Sequence, residues 1–185
     1  MSNSRRTLHT QPVGKVPRRT SFVALDQGGD DTLPVTRKGE GARISARTQE
    51  VLREMEQSSP FNRLLGIKGE WVEPGRGVLV LPVRPDFVGD PRRPALHGGV
   101  LSALIDTAGG LAAWSALDGH ESVSTVDLRV DYLEPAGLGG PLRAEAELVR
   151  KGNRVCYVRV AVTQDGVLVA EGRGVYNIHR RSREP

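Results

Sequence analysis

The segment "PALHGGVLSALIDTAGGLAAW" (Pro94–Trp114) holds two features that could do chemistry: a His97-Gly98-Gly99 triplet, and a lone acid, Asp106, nine residues after the histidine. The triplet stands where an apolar helix begins. Free N–H groups and the dipole at a helix N-terminus favour negative charge, and glycines let a ligand approach the backbone closely. A carbonyl oxygen that gains charge during acyl transfer is stabilised in such a place, by about 2.7–4 kcal/mol per donor. Asp106 falls inside the helix, where Asp is a poor residue. Its neighbours Val100, Leu101, Leu104, Ile105, Ala108, Leu111 and Ala112 cover nearly the whole circumference. The pattern predicts a helix over 98–114 that is buried all round, with Asp106 short of water. An ionised carboxylate there costs several kcal/mol unless it is paired or hydrogen-bonded. Functional sites are where such penalties are expected. A donor-rich helix end and a poised carboxylate suit the addition of water to a carbonyl. The alternative is a structural acid, bonded to backbone or to an Arg across an interface.

The elements that must position these residues follow from periodicity and turn chemistry. A helix is expected over 44–57, with Ile44, Val51, Leu52 and Met55 on one face. Ser59-Pro60 reads as a cap with proline at the first helical position, opening a short turn through Phe61, Leu64 and Leu65 that Gly66 ends. A hairpin turns at Pro74-Gly75, and Pro82 suggests an edge or bulge in its second strand. "FVGDPRRPAL" reads as a proline-rich loop. Four strands follow, over 123–133, 142–150, 155–163 and 167–178, the last two joined by an Asp165-Gly166 hairpin signal. Alternation places Val126, Leu128, Val130 and Tyr132 on one face of the first, and Asp127, Arg129 and Asp131 on the other. Thr125 shares the polar parity. Successive antiparallel pairings after one long helix argue an α+β class.

The chain has 185 residues and a net charge of +4. Residues 1–42 carry seven Lys/Arg against four Asp/Glu and show no periodicity, so they are expected to be a disordered basic tail. Residues 180–185 form a second basic tail, and the domain is expected over 43–179. With the charge in the ends, and with two Trp, three Tyr and three Phe in all, nucleic acid is not an expected partner. The apolar helix carries Asp106 and four glycines, so no membrane span is expected. The first residues contain no apolar run of the secretory kind, and the expected location is cytoplasmic. Cys156 is the single cysteine; it alternates with Val158 and Val160 and is expected in the core. His120 and His179 are read in a loop and a tail, and nothing has metal-ligand spacing. No cofactor is expected.

"HGGVLSALIDTAGG" followed by "STVDLRVDYLEPA" resembles the hotdog-fold acyl-CoA thioesterases, in particular the phenylacetic-acid-degradation (PaaI-like) branch. The resemblance extends over about residues 58–178, from "SPFNRLLGI" to "GRGVYNI". It implies a hotdog fold: a long central helix wrapped by a curved antiparallel sheet, assembled as a homodimer or homotetramer with active sites across the dimer interface. It implies hydrolysis of acyl- or aryl-CoA, coenzyme A entering as part of the substrate. By the same resemblance Asp106 is the acid that activates water or attacks the thioester. Gly98 supplies the N–H that polarises the carbonyl, with Gly99 and His97 beside it. Thr125, with Ser124 adjacent, reaches in from the other subunit to hold the attacking water. Many relatives carry an Asn shortly before the motif His; the loop here has none, so either Asp90 stands in for it or the role is absent.

Other residues have plainer readings beside functional ones. His97 is either a capping histidine or a positioning one. Arg150, Lys151 and Arg154 flank a turn and are either solvated or placed to meet coenzyme A phosphates. Leu111, Trp114, Phe61 and Leu65 fill the core or border an acyl pocket. The rival function is a hotdog module that binds acyl-CoA without hydrolysing it, which has no need of a buried acid.

Overall fold

The computed structural model describes residues 46–117 and 121–180. The expected tails over 1–42 and beyond Arg180, and His120, lie outside the described residues. Helix α1 (Ala46–Ser58) and the short α2 (Pro60–Leu65) lead into strands β1 (Lys68–Glu73) and β2 (Arg76–Leu81). A 3-10 turn (Pro85–Phe87) and two short strands, β3 (Val88–Asp90) and β4 (Arg93–Leu96), precede helix α3 (Gly98–Ser115). Strands β5 (Glu121–Tyr132), β6 (Leu142–Lys151), β7 (Val155–Gln164) and β8 (Val167–Arg180) complete the chain. The main sheet is antiparallel throughout, in the order β1-β2-β6-β7-β8-β5.

Local chemistry sets the ends of the elements. Ser59 Oγ accepts from the Asn62 N–H, Pro60 takes the first helical position, and Gly66 closes α2 in the left-handed region at φ 78°. At the β7–β8 hairpin Asp165 and Gly166 both have positive φ, 51° and 80°, as a two-residue turn of matching twist requires. Helix α3 packs across one face of the sheet. Its Leu101, Leu104, Ile105, Ala108, Leu111 and Ala112 pack with Leu79, Leu81, Leu142, Val158, Val160 and Val162 in one core. Cys156 is in that core.

Four expectations are corrected. The "FVGDPRRPAL" stretch is a small hairpin, β3–β4, and not a loop. Pro82 lies just past β2, an interior strand that pairs with β1 and β6, so it ends the strand instead of marking an edge. His179 is in β8 and not in a tail. Helix α3 is not buried all round: Ser102, Ala103, Asp106, Thr107, Gly110 and Trp114 are partly open. Small residues fill much of that stripe, and a count of apolar types cannot tell an open small residue from a covered one.

Candidate active site

Asp106 projects from the open stripe of α3. One carboxylate oxygen, Oδ1, accepts from Thr125 Oγ1 at 2.7 Å. Thr125 reaches it because of a bulge. The β5–β8 register runs Thr125↔Tyr176 and then Asp127↔Val175, so Val126 is an extra residue. It bulges out at 65% exposure. The bulge resets the alternation, and Thr125 shares the helix-facing side with Val123, Leu128 and Val130, which pack against the core. Simple parity had grouped Val126 with Leu128 and sent Thr125 to the solvent side; the register corrects both. Thr125 and Asp106 also meet within one chain, which corrects the expectation that Thr125 arrives at the carboxylate from a second subunit.

The stem of Asp106 is held from behind. Tyr176, 1% exposed, donates its hydroxyl proton to the Asp106 main-chain oxygen at 3.0 Å. The ring lies where Gly109 and Gly174 have no side chains, and a Cβ on Gly109 would collide with the hydroxyl. Burial, aided by the Asp106 charge, pushes the phenol far above its ordinary range. Sequence reasoning did not single out Tyr176. Its only signal was a tyrosine on a strand matched by a Gly109-Gly110 pair in an otherwise bulky helix.

Asp106 and Thr125 border a cleft of about 450 Å³ whose walls include Met55, Leu111, Trp114 and Val123. This is the size and character of a small-molecule site. Leu111 and Trp114 thus border a pocket as well as packing. Phe61 does not border it, being 54% exposed, and Leu65 is in the core. Ser124 also borders the cleft, with its hydroxyl 2.6 Å from His179 Nε2.

At the start of α3, His97 is the N-cap. Its Nδ1 accepts from the Gly99 N–H at 2.9 Å, so a neutral ring carries its proton on Nε2. The Val100 N–H goes to the His97 main-chain oxygen at 2.9 Å. Among the described residues the Gly98 N–H meets no acceptor. The cap thereby leaves a single N–H of the triplet free. Tyr132 lies over this end, donating to the Gly98 main-chain oxygen at 3.1 Å with its oxygen 2.7 Å from Ser102 Oγ. Gly98 and Tyr132 border a second cleft of about 350 Å³, which Asp106 does not reach. Eight residues at 1.5 Å rise put Gly98 about 12 Å from Asp106 along the helix.

The remaining candidates lie apart from both clefts. The Asp90 carboxylate binds the Arg92 guanidinium and main-chain N–H, which hold it below the usual carboxylate range. Lys151 Nζ donates to the Ala116 main-chain oxygen at 2.9 Å and closes the C-terminal end of α3. Arg154 is exposed on the β6–β7 turn, and its main-chain oxygen accepts from the Ile178 N–H. Among the described residues no cluster of three His, Cys, Asp or Glu is placed to hold a metal, and no helix is long and apolar enough to cross a membrane.

Comparison with known proteins agrees with this architecture. Residues 94–171 match the Thioesterase superfamily model. A medium/long-chain acyl-CoA thioesterase, YigI, of Salmonella typhimurium is 36% identical over 133 residues, which cover 64% of this chain and 85% of that one. Human acyl-coenzyme A thioesterase 13 is 28% identical, covering 68% of this chain and 89% of its own. Among solved structures, a phenylacetic acid degradation-related protein from Ralstonia eutropha JMP134 superposes with a TM-score of 0.61 at 28% identity, covering 69% of this chain and 98% of that one. With its long helix laid on a six-stranded antiparallel sheet, the chain belongs to the thioesterase superfamily and has the hotdog fold.

Proposed function

We propose that the chain hydrolyses acyl-CoA thioesters, with Asp106 as the acid that acts and Thr125 as the residue that orients it. The observation that carries this reading is Asp106 itself: a carboxylate on the open stripe of a core helix, bonded by Thr125 through one oxygen, beside an apolar-walled cleft. The bond from Thr125 is to Oδ1, and the second oxygen, Oδ2, is the one that takes a proton from water. The water oxygen adds to the thioester carbon, the carbon–sulfur bond breaks, and the proton held by Asp106 passes to the leaving thiolate. Direct attack by Asp106 through a transient anhydride uses the same oxygen; single turnover in heavy-oxygen water separates the two, because only the anhydride route first puts enzyme oxygen into the product.

The carbonyl needs a donor as well as a base, and Gly98 is the free N–H. About 12 Å of helix separates it from Asp106, too far for both to touch one thioester. A complete site therefore takes Gly98 from one copy and Asp106 with Thr125 from another. The open stripe of α3 and the twelve-residue edge strand β5, which pairs on one side with β8, are where a second copy fits. The relative named for medium- and long-chain substrates and the Met55–Leu111–Trp114 walls support an acyl tail in the cleft.

The test is thiol release from acetyl-, hexanoyl-, palmitoyl-, phenylacetyl- and benzoyl-CoA, by wild type and Asp106→Ala. Release that falls by orders of magnitude in a folded variant is expected. No release by either protein, with acyl-CoA still bound, would leave a ligand-binding module whose acid is structural.

A further inference from the structure

The Asp106 cleft runs one way along α3. That helix borders it with Asp106, Thr107, Gly110, Leu111 and Trp114, and with no residue before Asp106. Asp106, Gly110 and Trp114 are spaced four residues apart and so stand in one row on the helix. Along the axis Gly110 lies about 6 Å beyond Asp106, and Trp114 about 12 Å beyond it. Glycine is the costliest residue inside a helix after proline, so a glycine kept there has a use. For Gly109 the use lies within the chain, because a Cβ would collide with the Tyr176 hydroxyl. Gly110 is different. A Cβ there would meet Tyr176 Cε1 at 3.7 Å, an ordinary contact, and nothing else within 4 Å outside its own stretch of helix. The fold has room for a side chain at 110 and carries none, and the room so kept belongs to the cleft. Trp114 ends the row as a fixed wall: its Nε1 donates to the Glu121 main-chain oxygen at 3.1 Å, and the indole packs against the core.

We propose that Gly110 and Trp114 set the length of acyl chain that the cleft takes. The missing side chain at Gly110 lets the tail pass the first turn beyond Asp106, and the held Trp114 indole stops it at the second. The proposal rests on the thioesterase reading in placing the thioester carbon at Asp106. With C–C bonds of about 1.5 Å, an extended chain gains about 1.3 Å per carbon, so about five carbons reach Gly110 and about nine reach Trp114. The substrates selected are straight acyl groups of about eight to ten carbons. Each methylene that leaves water on the way to Trp114 raises kcat/KM about three- to fourfold, and a carbon beyond it adds nothing.

The experiment measures kcat/KM for straight acyl-CoA thioesters, with test lengths from about four to about fourteen carbons, on wild type, Gly110→Leu and Trp114→Leu. The wild-type value is expected to climb to a maximum near eight to ten carbons, as about 1.3 Å per carbon requires. Leucine suits a helix interior and fills the open space, so Gly110→Leu is expected to fold and to lower the ratio of the ten-carbon to the four-carbon kcat/KM by about tenfold or more. Trp114→Leu opens the far end and is expected to move the maximum to longer chains; an unmoved maximum overturns the part given to Trp114. A wild-type profile with no rise between the four- and ten-carbon members overturns the proposal without any variant. An unchanged ratio in folded Gly110→Leu also overturns it. So does equal loss of every member, which would give the space to another occupant such as a second copy. Should wild type release no thiol, the thioesterase reading fails, and calorimetric binding of the same series decides the length reading separately. A ten-to-four affinity ratio that collapses in Gly110→Leu supports it, and an unchanged ratio overturns it.

Discussion

Replacing Gly98 with proline removes one N–H and little else. Gly98 is the first residue of α3, the helical position that tolerates proline best, since its N–H has no helical partner. The residue before a proline must be extended, and His97 already is, at φ −64° and ψ 131°. The added Cβ would stand 3.1 Å from the Tyr132 Cζ and hydroxyl; Tyr132 is 54% exposed, so its ring can yield a few tenths of an ångström. The helix and core are therefore expected to survive, with Tm within about 3 °C of wild type. If Gly98 is the oxyanion donor, kcat falls about 10²–10³-fold, the cost of one such donor. The proposed two-copy site then makes a sharper demand. Refolding Gly98→Pro together with Asp106→Ala gives mixed dimers in which one site holds both the native Gly98 and the native Asp106. Random assembly makes half the dimers mixed, with one complete site of two, so about a quarter of wild-type activity returns from two inactive parents. A mixture shown to contain heterodimers that stays as inactive as its parents would refute the shared site. Wild-type kcat in Gly98→Pro would refute the donor.

Two further outcomes follow from the same geometry. Thr125→Val keeps the shape but loses the 2.7 Å bond to the carboxylate. A hydrogen bond to a charged group contributes about 1.5–3 kcal/mol, and partial exposure places this one at the low end; kcat/KM is expected to fall about tenfold with unchanged circular dichroism, and an unchanged value would remove Thr125 from the reading. Tyr176 has a folded-state pKa raised by burial above its unfolded value near 10, so the folded chain holds that proton longer. Its contribution is fully present below pH 10 and is lost as pH rises: the unfolding free energy is expected to drop by about 1.4 kcal/mol per pH unit above 10. Tyr176→Phe should be less stable than wild type by about 1 kcal/mol at pH 8 and lack that share of the alkaline slope, read by urea titration at both pH values.

Much of the molecule was legible where local chemistry decides it. The Pro74-Gly75 and Asp165-Gly166 turns, the Ser59-Pro60 cap and the long helix opening at Gly98 all follow from preferences within a few residues. Asp106 stood out because an acid is unusual inside an apolar helix, although the open stripe of α3 gives it more water than the string implied. The family likeness named the α+β hotdog architecture for the same reason: its motifs are short and contiguous.

The rest depended on pairings that no local pattern contains. Whether Thr125 faces Asp106 or water turns on one bulge at Val126, set by the register of β5 against β8, some fifty residues later in the chain. Tyr176 reaches the Asp106 main chain only because Gly109 and Gly174, sixty-five residues apart, come together to make room for its ring. His97 was left between capping and positioning by sequence; the fold makes it the cap that occupies Gly99 and leaves Gly98 free. The sequence by itself determined which groups exist and which turns and helices form, because those energies are local. Only the tertiary structure decided which oxygen meets which proton, because a strand's facing and a cleft's walls are fixed by partners far away in the chain.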